Sequence, residues 1–218
     1  MTIEAVIFDM DGILIDSEPY WFQSGAELAT EIGKTWTKAD HQSTMGLATE
    51  AWAQIMIEHM GLTLSIEHLI ADMKRRMIAH YDEHLPILPG ALEAVYSAAN
   101  SYKVALASGS PRELIEHVMN LTGLDQVFHT IVRGDMVTRG KPAPDIYLEA
   151  ARRLGVPPSV CIGIEDSPNG IRALKAADMI AIAIPSPNYP LADDIRDMAD
   201  FVLPSLESFS LQYVSTLR

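Results

Sequence analysis

Apolar residues fall along this chain in two rhythms. Short unbroken runs at Ala5 to Phe8, Val104 to Ala107, Val160 to Ile164, Met179 to Ile184 and Phe201 to Leu203 have the length of strands buried on both faces. Between them, Ala91 to Asn100, Arg112 to Leu121, Ile146 to Leu154 and Gly170 to Ala177 carry apolar residues at helical spacing. Strands alternating with helices need crossover connections, which are right-handed. The pattern therefore predicts an α/β core on a mainly parallel, Rossmann-like sheet.

The interval 16–84 breaks this alternation, with three or four helical stretches and no convincing buried strand. Glu18 to Ile32, Thr49 to Met60 and Ile66 to His84 are the predicted helices, the last with Leu69, Met73, Met77 and Tyr81 at three-to-four spacing. Pro86 and the Pro89-Gly90 pair then return the chain to the sheet. The expected organisation is a core of residues 1–15 and 85–218 with an α-helical cap of residues 16–84 inserted after the first strand. That position is the sheet edge at which ligands bind, so the insertion is placed to cover a site. Met56 with Met60 and Met73 with Met77 read as packing inside the cap. His80 and His84 have no third ligand at metal-binding spacing and read as an exposed helix face.

Charge narrows the partners. Lys and Arg total 16 against 29 Asp and Glu, a formal charge of -13 that repels nucleic acid and anionic lipid. No apolar run reaches the length of a membrane span. The acidic N-terminus lacks the basic start of a secretory signal, and the lone Cys161 cannot form an internal disulfide, so a cytoplasmic location is expected. The acidic surface is compatible with a monomer. A small anionic ligand would need local positive charge from a metal, a lysine or a helix N-terminus.

Asp9 and Asp11 directly follow the first strand, with Gly12 permitting a tight turn, and Glu165 and Asp166 follow the run that ends at Ile164. Four carboxyl groups thus gather at one sheet edge. Two bare like charges about 4 Å apart cost on the order of 4 kcal/mol at an effective dielectric near 20, so a cation is required. Oxygen ligands without His or Cys point to Mg²⁺ rather than zinc. Ser108 ends the second run, and its hydroxyl with the N–H groups of Gly109 and Ser110 can face an anion at the start of the next helix. Lys141 stands between Gly140 and Pro142, held rigidly outside a helix, with Pro144 opening the helix that follows.

Val6-Ile7-Phe8-Asp9-Met10-Asp11-Gly12, Ala107-Ser108-Gly109-Ser110, Gly140-Lys141-Pro142 and Ile164-Glu165-Asp166-Ser167 occur in this order. In these residues, and over nearly its whole length, the chain resembles the haloacid dehalogenase superfamily. The likeness is to its branch of sugar-phosphate phosphatases and beta-phosphoglucomutases, and within that to bacterial 2-deoxyglucose-6-phosphate or hexitol phosphatases. The resemblance implies a small phosphorylated substrate, Asp9 as nucleophile forming an aspartyl-phosphate, and Asp11 as general acid and base. It further implies Mg²⁺ on the Asp9 carboxylate, the Asp11 carbonyl and Asp166 with Glu165 assisting, and phosphoryl oxygens bound by Ser108, Gly109 and Lys141.

The acid at Asp11 and the pair Glu165-Asp166 set the chain apart from metal-free haloacid dehalogenases. Beta-phosphoglucomutases carry a histidine where this chain has Trp21 and an arginine where it has Thr49, which favours hydrolysis over phosphomutase activity. A phospho-accepting signalling module is the reading from another class, although such modules are shorter and phosphorylate an Asp on an internal strand. Trp21, Met45, Gly46 and Arg76 are the candidates for facing the substrate from the cap.

Overall fold

The computed structural model describes residues 2–44 and 49–210. They form two compact units, Met1–Asp16 together with Pro86–Arg218, and Ser17–Leu85. In chain order, β1 (Ala5–Phe8) leads into the helices of the second unit, α1 (Glu18–Glu31), α2 (Lys38–Thr44), α3 (Thr49–Met60) and α4 (Ile66–Glu83). The first unit then resumes with α5 (Ala91–Ala99), β2 (Lys103–Ser108), α6 (Arg112–Thr122), β3 (Thr130–Arg133), α7 (Asp145–Leu154) and β4 (Cys161–Glu165). It ends with α8 (Pro168–Ala176), β5 (Ile180–Ala183), α9 (Asp193–Arg196) and β6 (Phe201–Val202). Among the described residues no helix is long and apolar enough to cross a membrane.

The six strands are parallel and ordered β3-β2-β1-β4-β5-β6. All four residues of β1 are buried, as expected of a central strand covered on both faces. One face packs Ile7, Ala105, Ala107 and Val132 against Ile146, Tyr147 and Ala150 of α7. On the other, Phe8 meets the edges of Phe128 and Phe209 at 6.2 and 6.1 Å between ring centroids. Strand order reverses between β1 and β4, where open parallel sheets leave a crevice beyond their C-terminal ends. Asp9 and Glu165 stand there.

β3 is not among the predicted strands. Its apolar run is only Ile131 and Val132 between Thr130 and Arg133, because an edge strand needs less apolar cover than a central one.

In the second unit Leu28, Ala29, Trp36, Ala53, Met56, Met60, Leu69 and Met73 share one core, with Trp21 and Trp52 packed edge to face against each other at 5.7 Å. The methionines fill it without charge or hydrogen-bonding demands. α2 is an addition to the three helices named from periodicity, and its start had a local sign. The Thr37 Oγ accepts from the Asp40 N–H at 3.2 Å while an Asp40 oxygen accepts from the Thr37 N–H at 2.8 Å, a reciprocal capping box. His80 is not on an exposed face: its side chain is 12% exposed and its ring stacks on Tyr20 at 5.1 Å.

Candidate active site

The Asp9 N–H donates to the Ile164 carbonyl at 3.1 Å, so the first residue beyond β1 is still pinned to β4. Gly12 then turns the chain at φ 74°, a left-handed conformation. A Cβ on Gly12 would overlap the Asp166 carboxylate, so glycine is what lets that acid lie over the turn. Asp9, Glu165 and Asp166 each present a carboxylate oxygen, all within 4.8 Å of one another.

One cation answers them. The Lys141 Nζ donates to Asp9 Oδ1 at 2.8 Å, Glu165 Oε1 at 2.6 Å and the Ala107 carbonyl at 3.2 Å, which matches its three N–H groups with three acceptors. Glu165 is wholly buried and folded back over the start of α8. Its Oε2 accepts from the Asp166 N–H at 3.1 Å, the Ser167 N–H at 3.2 Å and the Ser167 hydroxyl at 3.0 Å. Its Oε1 accepts from Lys141 and, at 2.6 Å, from the Tyr147 hydroxyl. Five donors on a group with about four lone-pair sites make Glu165 an organiser of its neighbours.

Burial is the strongest influence on Asp9; Lys141 opposes it, the Glu165 and Asp11 charges add to it, and the carboxyl is driven from 3.8 up to about 8. Burial, with Glu165 and Asp9 close by, likewise lifts Asp166 well above the usual carboxylate range. For Glu165 burial acts in the same direction, but the Lys141 charge and hydrogen bond outweigh it and hold the carboxyl below 4.5. Burial works against the Lys141 ammonium, yet Asp9 and Glu165 hold its proton well above 10.5. The spot is short of positive charge. Clustered oxygen donors with an unbalanced negative charge fit a hard divalent cation.

Ser108 closes β2 and is fully buried. Its hydroxyl donates to Asp11 Oδ2 at 3.3 Å, and the Ser110 hydroxyl donates to the same oxygen at 2.7 Å. The Ser110 N–H, expected to be open to an anion, instead donates to Ser108 Oγ at 3.1 Å, so the turn closes on itself through that group. Gly109 stays open: a Cβ there would meet nothing within 4 Å. Ser110 as a hydroxyl partner of Asp11 went unrecognised in the sequence, as did Tyr147, whose place in the apolar rhythm of α7 suggests packing alone. A buried tyrosine needs a partner for its hydroxyl, and that was the one available sign.

The structure thus brings together Asp9, Asp11, Ser108, Lys141, Glu165 and Asp166 of the first unit. It does not leave Arg76 free for a ligand. In the second unit Arg76 is buried, with Nε on Asp72 at 2.7 Å and its two terminal nitrogens on the Glu31 carboxylate at 2.8 and 2.5 Å. A guanidinium seated on two carboxylates is already matched to planar acceptors. Trp21 packs at the edge of the helical core beside Trp52. Met45 and Gly46 lie outside the described residues.

Compared with known proteins, residues 3–178 match the family of haloacid dehalogenase-like hydrolases. The chain belongs to this family. This hydrolase is 34% identical to hexitol phosphatase B of Escherichia coli strain K12 over 207 residues, 94% of its own length and 93% of the relative's. Among solved structures it is similar to CbbY from Rhodobacter sphaeroides in complex with phosphate, with a TM-score of 0.86 and 26% identity over 98% of the hydrolase and all of that chain. It is also similar to beta-phosphoglucomutase from Clostridium difficile, with a TM-score of 0.82 and 26% identity over 99% of the hydrolase and 96% of that chain.

Proposed function

We propose that this hydrolase is a Mg²⁺-dependent phosphatase of small phosphorylated sugars or polyols, working through an aspartyl-phosphate on Asp9. The observation that carries the reading is the convergence of Asp9, Asp166, Glu165 and Lys141 at the point where strand order reverses. The Asp9 and Asp166 carboxylates and the Asp11 carbonyl would hold the ion, with Glu165 adding charge from behind. Bound there, Mg²⁺ would favour the ionised form of Asp9 and offset the charge of the phosphate.

The residues divide the work as follows. Lys141 fixes Asp9 through one oxygen. The ionised Asp9 attacks phosphorus in line, forming the O–P bond as the bond to the sugar oxygen breaks. A sugar alkoxide leaves poorly, so the Asp11 carboxyl gives it a proton. The Ser108 and Ser110 hydroxyls both donate to Asp11 Oδ2, which fixes this carboxyl beside Asp9 for that transfer. In the second half, Asp11 takes a proton from water as the water attacks phosphorus, freeing phosphate and restoring Asp9. The open Gly109 turn, the Ser108 hydroxyl by turning its one proton from Asp11, which Ser110 still holds, and Lys141 by sharing one of its bonds, would receive the phosphoryl oxygens.

The test is a panel of sugar and polyol phosphates together with an aryl phosphate, assayed with and without Mg²⁺. Repeated release of inorganic phosphate only with the ion is the expected result. A hexose 1-phosphate converted to its 6-phosphate without free phosphate would make the protein a mutase. A single stoichiometric phosphorylation without turnover would make it an acceptor module.

A further inference from the structure

We infer that Tyr147 is a positioning residue of this hydrolase, its hydroxyl fixing Glu165 and, through Glu165, the ammonium of Lys141 that holds Asp9. The inference rests on the proposed reaction at Asp9. Tyr147 lies in α7, fully buried against Ala105, Ala107 and Val132 of the sheet. Its hydroxyl donates to Glu165 Oε1 at 2.6 Å, the same oxygen that accepts from the Lys141 Nζ at 2.6 Å. The Nζ also stands 5.1 Å from the centroid of the Tyr147 ring. One side chain therefore touches both members of the ion pair, the anion by its hydroxyl and the cation by its ring face.

Packing alone does not call for the hydroxyl, since phenylalanine offers the same ring. What the hydroxyl changes is the balance at Glu165. The three donors on Oε2 anchor one side of this carboxylate, leaving Oε1 to be shared by Lys141 and Tyr147. Without the tyrosine O–H, Oε1 has Lys141 as its one donor and pulls harder on the ammonium, which must also serve Asp9 at 2.8 Å and the Ala107 carbonyl at 3.2 Å. The bond to Asp9 then lengthens, and the nucleophile loses its fixed approach to phosphorus. This acts on the chemical step rather than on substrate capture.

The experiment compares the parent, Tyr147→Phe, Lys141→Met and the double variant by kcat and KM on an aryl phosphate at saturating Mg²⁺, with Tm for each. Tyr147→Phe should lower kcat about tenfold with KM within about twofold, the scale of losing an outer partner of a catalytic group. In the Lys141→Met background the same substitution should change kcat by less than about twofold, because the route through the ammonium is already gone. A structural loosening would lower both backgrounds alike. The inference is overturned by a kcat within twofold of the parent, by equal losses in both backgrounds, by an effect on KM alone, or by a Phe variant that no longer folds. A parent with no Mg²⁺-dependent turnover overturns the proposed function and the inference with it; a fully active parent with an unaffected Phe variant overturns the inference alone.

Discussion

Each unit of this hydrolase gathers acids around one cation drawn in from the surface, and the two clusters behave oppositely. In the helical unit Arg76 takes Glu31 and Asp72 in hydrogen-bonded pairs, and both carboxyls are held below their ordinary values: Glu31 by its bond to Arg76, Asp72 against burial by its bonds to Arg76 and Arg75. At the sheet edge Lys141 faces Asp9 and Glu165 with Asp166 adjacent, and there only Glu165 is lowered while Asp9 and Asp166 are raised. Water and the guanidinium fork satisfy the first cluster, because the Glu31 side chain stays 59% exposed. The second has its Asp9 and Glu165 side chains only 9% and 0% exposed, and holds more acid than its lysine can balance. A cluster complete in itself stabilises a fold. One that keeps an unbalanced charge out of water is prepared for a partner it does not contain.

Substitution of the nucleophile separates the two most sharply. Asp9→Asn should lower kcat by a factor on the order of 10⁴ or more while circular dichroism stays that of the parent. Retained Mg²⁺-dependent turnover would remove Asp9 from its role.

Exchanging the two cations for methionine comes next. Lys141→Met should lower kcat/KM by about 10²–10³, the scale of deleting one charge-stabilising donor. Arg76→Met should leave kcat within about twofold and lower Tm by a few degrees, since it takes the guanidinium from Glu31 and leaves Asp72 with Arg75 alone. Equal kinetic losses in the two variants would dissolve the distinction.

The distinction was only partly legible in the sequence. Asp9, Asp11, Ser108, Lys141, Glu165 and Asp166 could be found because each stands where an apolar strand or a proline-framed turn stops, and the ends of parallel strands converge. Tyr147 and Ser110 could not, because their contacts depend on rotamers and on which neighbour a hydroxyl meets. Arg76 misled for the same reason: an arginine on a helix does not reveal that Glu31, 45 positions away in sequence, will seat it. The hidden strand β3 shows the limit of periodicity, which registers burial and so misses an edge.

A smaller effect tests the turn that admits Asp166. Gly12→Ala places a Cβ into the Asp166 carboxylate at φ 74°, so backbone strain of about 1–2 kcal/mol adds to displacement of a proposed metal ligand. The Mg²⁺ concentration for half-maximal activity should rise several-fold, with kcat at saturating ion falling less. An unchanged Mg²⁺ requirement would mean that Asp166 does not need the space glycine leaves.

The smallest effect is thermal and carries the contrast to both clusters at once. A carboxyl whose value is raised from 3.8 to about 8 keeps a proton in the folded chain that the unfolded chain has already released. Between about pH 5 and 8 the folded state therefore binds more protons at Asp9, and stability must fall as pH rises. Asp166, also raised, acts in the same direction. Lys141, raised above 10.5, stabilises evenly through this window and loses its contribution only at higher pH. The lowered Glu165, Glu31 and Asp72 contribute above their unfolded values near 4 and are lost on acidification, so they too are flat from pH 5 to 8. Tm measured in a chelator should decline by a few degrees across that range. Saturating Mg²⁺ should flatten the decline by favouring the ionised acids, and Asp9→Asn should make it shallower in the chelator, with Asp166 supplying the slope that is left. Arg76→Met should shift the whole curve down with its slope intact. A chelated parent whose Tm holds or rises from pH 5 to 8 would mean that the sheet-edge acids are balanced without a partner, and the two clusters would then be of one kind.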